Sequence, residues 1–381
     1  RGIMPIGDGE TLSIGAQTNG SYYQSYNAGY STGWLGGKRP LQFSYNMFFS
    51  KQTDVNSNYY NQSWMTNYYN YMGGYGSYNY GYNNYQNYYD PDKYIKLFGA
   101  SIGIGKRLRW PDDYFVLSMN VSFTRYMLKN WRYFLITTGN CNNLNFGVSL
   151  SRTSTDNQLF PRRGSEFELS VSLTPPWSVF DGKDYKNLAT DALSKNYAKE
   201  QQDKYRWVEY HKWKFKSKTY TALTNGAKCF VLMTRVEFGI LGSYNKYKKS
   251  PFETYYMGGD GMTGYSTGYA EETIGLRGYD NGSLTPYYQE GYAYDRFTLE
   301  LRYPFMLGNT TIYGLTFVEA GNAWNDVKKF NPFDMRRSAG AGVRIFLPMV
   351  GLMGIDWAYG FDKVFGQKGG GQFHFILGQE F

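Results

Sequence analysis

Short segments in which apolar and polar side chains alternate recur along the chain and limit the folds it can adopt. The pattern runs through FELSVSLTP (167–175), NLNFGVSLS (143–151) and FVLSMNVSFT (115–124). A period of two residues is that of a β-strand with one apolar face. The polar positions carry small uncharged side chains more often than a water-exposed surface does. The sequence therefore predicts an all-β fold, a transmembrane antiparallel β-barrel with lipid outside and a wet lumen inside.

The composition favours strands over helices. Aromatic residues make up 20% of the chain, and 45 of its 381 residues are glycine. This mixture disfavours long helices and suits strands. No run approaches the roughly 18 apolar residues that mark a membrane helix, which excludes a helical membrane protein. A strand needs only about 9 to 11 residues and one apolar face to cross the hydrocarbon.

The predicted strands alternate with two kinds of connection. The strands are predicted at residues 9–19, 21–33, 40–50, 94–109, 114–127, 143–155, 165–175, 208–223, 229–241, 291–305, 310–324, 336–347, 351–362 and 371–381. One set of connections is short, as at 34–39, 110–113 and 224–228. The set that alternates with it contains the long segments 51–93, 176–207 and 242–290. Short turns at one rim and long loops at the other are typical of an outer-membrane barrel.

The sequence contains little that points to catalysis. GASIG (99–103) matches the G-x-S-x-G pattern, but it lies inside a predicted strand, whereas a nucleophile elbow needs a sharp turn. His211 and His374, the two histidines, have no neighbouring Cys or Glu at the spacing of metal ligands. We therefore predict no enzymatic activity, no cofactor and no metal.

Two further features concern possible partners. In HKWKFKSK (211–218), basic and aromatic residues interleave, as they also do in nucleic-acid-binding segments. Because the two kinds alternate, the segment equally describes one strand, and we predict no nucleic-acid partner. The Tyr- and Asn-rich segment 56–94 is either a solvated external loop or a tyrosine-rich surface for a protein or glycan.

Several segments together resemble a known family. SPFETYYMGGDGMTGY (250–265) followed by ETIGLRGYDNGSLTP (272–286) resembles the sixth external loop of the BamA family of outer-membrane assembly barrels, whose signature is Val-Arg-Gly-Phe. Here the motif reads Leu276, Arg277, Gly278 and Tyr279. FTLELRYPF, TFVEAGNAWND, RRSAGAGVRIFLP and GQFHFILGQEF resemble the last four strands of the family in order. STGWLGGKRP and DNQLFPRRGSEFELSVSLTPP resemble the Bacteroidetes-type versions.

The resemblance implies a domain organisation. Residues 1–381 would form the outer-membrane β-barrel domain, with about 14 of the about 16 strands of the family. The first hairpin and the periplasmic POTRA domains would lie before Arg1. The segment 242–290 would be a long external loop that folds into the lumen.

The resemblance also implies a function in the outer membrane of a Gram-negative bacterium. The protein would fold and insert other β-barrel proteins through a lateral seam, without a cofactor. Its partners would be unfolded outer-membrane protein clients, accessory subunits of the BAM complex including lipoproteins, periplasmic chaperones and outer-membrane lipid. Two alternatives remain at this stage, a translocation pore of the two-partner-secretion type and a structural porin or adhesin.

The family likeness assigns roles to individual residues. In relatives the motif arginine contacts acidic residues of two strands, and the carry-over falls on Glu300 and Glu319, the latter standing where relatives often carry Asp. The last strand would form half of the seam, with Phe373, Phe375, Leu377 and Phe381 facing lipid. Gly378 would let the end of that strand bend away from the seam, so Gly378→Val is expected to impair assembly more than folding.

Overall fold

The computed structural model describes residues 9–20, 22–35, 41–55, 89–131, 136–188, 194–261, 272–285, 290–349, 351–364 and 370–377. The predictions made for Gly378, for Phe381 and for most of the Tyr- and Asn-rich segment lie outside these residues.

Strands dominate the described chain. They are β1 (Thr11–Asn19), β2 (Tyr23–Thr32), β3 (Leu41–Val55), β4 (Tyr89–Arg107), β5 (Phe115–Lys129), β6 (Gly139–Thr153), β7 (Gly164–Leu173), β8 (His211–Ala222), β9 (Val231–Gly242), β10 (Tyr255–Met257), β11 (Glu272–Ile274), β12 (Ala293–Met306), β13 (Thr311–Trp324), β14 (Arg336–Leu347), β15 (Gly351–Gly360) and β16 (Gly371–Leu377). Fourteen of them form one sheet in chain order, from β1 to β9 and then from β12 to β16. Neighbours pair antiparallel, as β12 does with both β9 and β13.

Each segment predicted as a strand overlaps a strand of this sheet. The strands β10 and β11 were not predicted. They lie in the long segment 242–290 and pair in parallel, with Tyr255 opposite Glu272. Each has only three residues, which is too short for a period of two to be visible.

In the described residues between β7 and β8 there are two short helices, namely α1 (Trp177–Phe180) and α2 (Tyr197–Tyr205). A 3-10 turn at Val327–Lys329 follows β13. None of the helices in the described residues is long and apolar enough to cross a membrane.

Strand β12 shows that the burial of side chains is inverted relative to a soluble protein. Leu299 is 54% exposed, whereas its neighbour Glu300 is 1% exposed. Leu301 is likewise exposed, and Arg302 is buried. Charged side chains are rarely buried in a soluble domain unless they are paired. A sheet with hydrocarbon on one face and polar groups on the other requires this inversion.

Spatial contacts between residues divide the chain into two compact units. The first contains Arg1–Ile104, Val121–Leu144 and Asp184–Val208. Within it, Asn142 at the start of β6 donates its backbone N–H to Arg206 O over 2.9 Å and accepts from Val208 N over 2.9 Å. The segment after α2 is thereby attached to β6.

The second unit contains Gly105–Asn120, Asn145–Lys183 and Glu209–Phe381. Its apolar core lies on the buried face of the sheet. The core consists of Phe160, Tyr220, Cys229, Val231, Met233, Tyr313, Leu315, Phe317 and Ala358. All the predicted site residues that the structure describes belong to this unit.

The two cysteines provide a first test of the strand order. Cys141, near the start of β6, and Cys229, two residues before β9, are both buried and are not joined by a disulfide, and the two strands run in opposite directions. Strand length alone separates the two rims by far more than the roughly 7 Å between Cα atoms that a disulfide allows. We expect thiol labelling of the denatured, unreduced protein to modify both cysteines. A single intramolecular bridge would show that the strand order is wrong.

Candidate functional site

The motif Leu276, Arg277, Gly278 and Tyr279 is separated from the end of β11 by one residue, and all four residues are buried. Leu276 is held by its own loop, because its carbonyl oxygen accepts the N–H of Gly259 over 3.1 Å. This hydrogen bond joins the segment around Gly259 to the motif within the same loop.

Arg277 is the centre of the site. Its Nη2 lies 2.8 Å from Glu319 Oε1, and its backbone N–H donates to Glu319 Oε2 over 2.9 Å. Its Nη1 donates to Asp356 Oδ2 over 2.9 Å. The guanidinium carbon lies 3.4 Å from the centroid of the Phe317 ring, so the cation rests on the apolar core. Main chain and side chain of one residue are therefore fixed by strands β13 and β15.

Of the three carboxylates around Arg277, two were predicted from the sequence and the third was missed. The predicted partners were Glu300 and Glu319; the structure places Glu319 in direct contact and Glu300 Oε1 at 3.9 Å from Nη1. Asp356 was not predicted. The available signal was its position between the apolar residues Ile355 and Trp357, which puts its carboxylate on the opposite face of the strand. In the structure Ile355 and Trp357 are exposed and Asp356 is buried.

Each carboxylate also has a second cationic partner on the sheet. Asp356 receives both terminal nitrogens of Arg344, at 2.6 and 2.7 Å. Arg296 Nη2 lies 3.3 Å from Glu319, and Arg302 Nη2 lies 3.3 Å from Glu300. The site thus contains four arginines and three carboxylates, and only one of the arginines comes from the loop. Pairing between opposite charges lets such groups remain buried.

Gly278 connects the motif to the last strand. It has a φ of +88°, and its N–H donates to Nε2 of His374 over 2.8 Å. A Cβ atom at this position would lie 2.9 Å from the backbone nitrogen of Gly360 and 3.1 Å from Ser338 Cβ. Only glycine combines this φ with so close an approach to β14 and β15.

Tyr279 and the residue after it extend the contact. The Tyr279 hydroxyl donates to the carbonyl oxygen of Arg337 in β14 over 2.6 Å. Asp280 accepts a hydrogen bond from Gln372 Nε2 in β16 over 2.8 Å. The loop therefore holds β14, β15 and β16 at once, and its contacts with β16 were not foreseen from the sequence.

The electrostatic environment favours the charged form of Arg277. Burial alone would lower the pKa of its guanidinium, but the carboxylates of Glu319 and Glu300 raise that pKa above its ordinary value. For Tyr279, burial raises the pKa of the hydroxyl to about 12, so it stays protonated and keeps its donor.

The predicted seam strand has one exposed and one buried face. Phe373, Phe375 and Leu377 are exposed, whereas His374 and Ile376 are buried. Strand β16 pairs with β15 from Tyr359 opposite Gly371 to Met353 opposite Leu377. In the sheet of described strands β16 is the last member and has β15 as its one neighbour.

The described residues contain no group of three or more His, Cys, Asp or Glu that could hold a metal ion. The contacts described above form an ion-pair network between the loop and the sheet.

Comparisons with known proteins identify a family and similar folds. The model of the Omp85 superfamily domain matches residues 6–381. BamA from Haemophilus ducreyi lacking POTRA domains 1–3 is similar in structure, with a TM-score of 0.60, 19% identity and coverage of 97% of this chain and 64% of that one. This chain thus spans less than two thirds of that protein's length. At this identity the likeness shows the fold alone.

Two other solved structures are more distant. CdiB from Acinetobacter baumannii has a TM-score of 0.46 and 12% identity, over 96% of this chain and 52% of that one. CdiB from Escherichia coli has a TM-score of 0.45 and 12% identity, over 93% of this chain and 52% of that one. No curated protein sequence matches the chain.

The predicted fold class and the family likeness are confirmed, and the assignment agrees with the prediction that the chain is not an enzyme. The chain belongs to the Omp85 superfamily and has its transmembrane antiparallel β-barrel fold.

Proposed function

We propose that the protein folds and inserts β-barrel proteins into the outer membrane, and that clients assemble at the edge of β16. The observation that carries this proposal is the attachment of one buried loop motif to β14, β15 and β16 beside that edge. The clients would be unfolded outer-membrane proteins, delivered by periplasmic chaperones. Accessory lipoproteins and POTRA domains would assist the full-length protein.

The mechanism follows from the hydrogen-bonding needs of a strand in lipid. Hydrocarbon cannot satisfy exposed backbone N–H and C=O groups, so an edge strand in a membrane strongly favours a partner. A client strand can pair with such an edge by strand addition. The exposed Phe373, Phe375 and Leu377 would continue the lipid-facing surface of the client.

The loop has a defined role in this mechanism. It would lie in the lumen and hold β16 from inside, through Gly278 to His374 and Asp280 to Gln372. The edge would then be available for pairing while its own strand stays in register with β15. No cofactor or nucleotide enters any step, since the folding energy of the client drives the process.

Reconstitution tests the function. We expect the full-length protein in liposomes to accelerate the membrane insertion of a urea-denatured client barrel, measured by its heat-modifiable migration on gels. Empty liposomes are the control. Client delivered into the vesicle interior would instead indicate a translocation pore, and ion conductance without any effect on the client would indicate a porin. Either of these two results would contradict the proposal.

A further inference from the structure

The basic segment HKWKFKSK has a role that the motif does not explain. It forms the first part of β8, where Trp213 is 48% exposed and Lys212 is 5% exposed. The lysines therefore point to the same buried side of the sheet as the loop.

Lys212 and Lys214 are paired with the loop. Lys212 Nζ lies 2.9 Å from Glu253 Oε2 and 2.9 Å from Glu272 Oε2. Lys214 Nζ contacts the other carboxylate oxygen of Glu272. The Lys212 ammonium also lies 5.0 Å from the centroid of the Tyr255 ring. Two lysines on one strand thus meet two carboxylates and one aromatic ring of the loop.

The local fold of the loop brings the two carboxylates together. Glu253 precedes β10, and Glu272 begins β11. The N–H of Glu272 donates to the carbonyl oxygen of Thr254 over 2.8 Å. The short parallel pair therefore places residues that are distant in sequence around one ammonium group.

The backbone of Glu253 indicates that this arrangement is specific. Glu253 has a φ of +65°, a left-handed conformation that is energetically costly for a non-glycine residue. Glycine would avoid that cost but would remove the carboxylate that Lys212 binds. The surrounding contacts thus hold a strained residue in place.

The charge state of Glu272 also supports a stable ion pair with Lys212 and Lys214. Burial alone would raise the pKa of its carboxyl, but the ammonium groups of Lys212 and Lys214 lower it to about 2. The carboxylate therefore remains ionised, as a buried ion pair requires.

We propose that Lys212 and Lys214 form a second anchor that fixes the loop to β8, independently of the Arg277 anchor on β13 and β15. The two anchors have opposite polarity. At β8 the loop supplies carboxylates to ammonium groups of the sheet, whereas at Arg277 it supplies a guanidinium to carboxylates of the sheet. The loop is held at both places, and the β8 anchor positions the segment that precedes the motif. The expected effect of this anchor on client assembly rests on the proposed function. Its expected effect on the position of the loop does not.

Hydrogen exchange of the full-length protein in liposomes tests the anchor without reference to clients. We expect Lys212→Met to speed amide exchange in 253–261 and 272–274 by about tenfold, because a charge-assisted hydrogen bond is lost. Exchange at Arg277–Tyr279 should change much less. Glu272→Gln should give a similar increase, and the double variant should add little to either single variant. Lys216→Met, two positions past Lys214 on the same strand face, is the control.

Unchanged exchange in Lys212→Met, or an equal increase at 253–261 and at the motif, would overturn the second anchor. Client insertion is measured on the same samples. If exchange rises as expected and the wild type inserts clients but Lys212→Met does so several-fold more slowly, the anchor positions the loop for assembly. If exchange rises while the wild type inserts no client, the anchor stands and the proposed function fails.

Discussion

We expect Arg277→Ala to release the motif end of the loop from β13 and β15 while the barrel still folds. Arg296, Arg302 and Arg344 remain beside the three carboxylates, so the sheet keeps a paired network. The loop loses the cation that it contributes to that network. The contacts of the Arg277 side chain with Glu319 and Asp356 then no longer hold the loop in place. Breaking a buried ion pair costs on the order of 3 kcal/mol, which is roughly a hundredfold in the equilibrium for loop opening.

Proteinase K digestion of the folded protein measures this release. Cleavage within 275–285 should become much faster in Arg277→Ala, and client insertion should be largely lost. Arg277→Lys should rescue both only in part, because one ammonium cannot reproduce two separate guanidinium contacts. Arg162→Ala, which breaks a surface ion pair with Asp156, is the control and should behave as wild type. Wild-type protease resistance in Arg277→Ala would show that the motif does not hold the loop.

We expect Gly278→Ala to release the loop to a similar extent although Arg277 is intact. The added methyl group would overlap the backbone of Gly360 and crowd Ser338, and neither backbone can move without disturbing the sheet. The substitution would also force alanine to adopt a φ of +88°. The loop would have to withdraw, which breaks the bond from Gly278 to His374.

Gly226→Ala separates the two causes. Gly226 has a φ of +103° and no atom within 4 Å of the position of an added Cβ, so it reports backbone strain alone. We expect Gly226→Ala to leave loop digestion and client insertion near wild type, and Gly278→Ala to lose both. Equal behaviour of the two variants would contradict the close-approach explanation.

The period of two residues was sufficient to predict the sheet. In β12, Leu299 and Leu301 alternate with Glu300 and Arg302, and the pattern directly gave the faces that the structure shows. The alternation says less about Glu319, because small residues follow it in β13. The family likeness, and not the alternation, selected Arg277 as the residue that meets these carboxylates.

The contact residues that the sequence analysis missed depend on the path of a long loop over the sheet. Asp356 and His374 lie on buried strand faces, but nothing in their own segments indicates that Arg277 and Gly278 reach them. The lysines of β8 were recognised as one face of a strand, whereas Glu253 and Glu272 were not recognised as their partners. Local patterns specify strands and faces; contacts between a loop and distant strands are set by tertiary packing.

Cross-linking tests most directly whether clients assemble at β16, as we propose, or pass through the lumen. Phe375 lies on the exposed face of β16, and Glu168 lies beside Lys216 and Arg235 around a cavity of about 380 Å³. A photoreactive amino acid is placed at each position in the full-length protein, and a client stalled during assembly is cross-linked. Side chains on paired neighbouring strands lie about 5 Å apart, within reach of such a probe. We expect client adducts at position 375 and none at position 168, whereas adducts at 168 without adducts at 375 would contradict assembly at the seam.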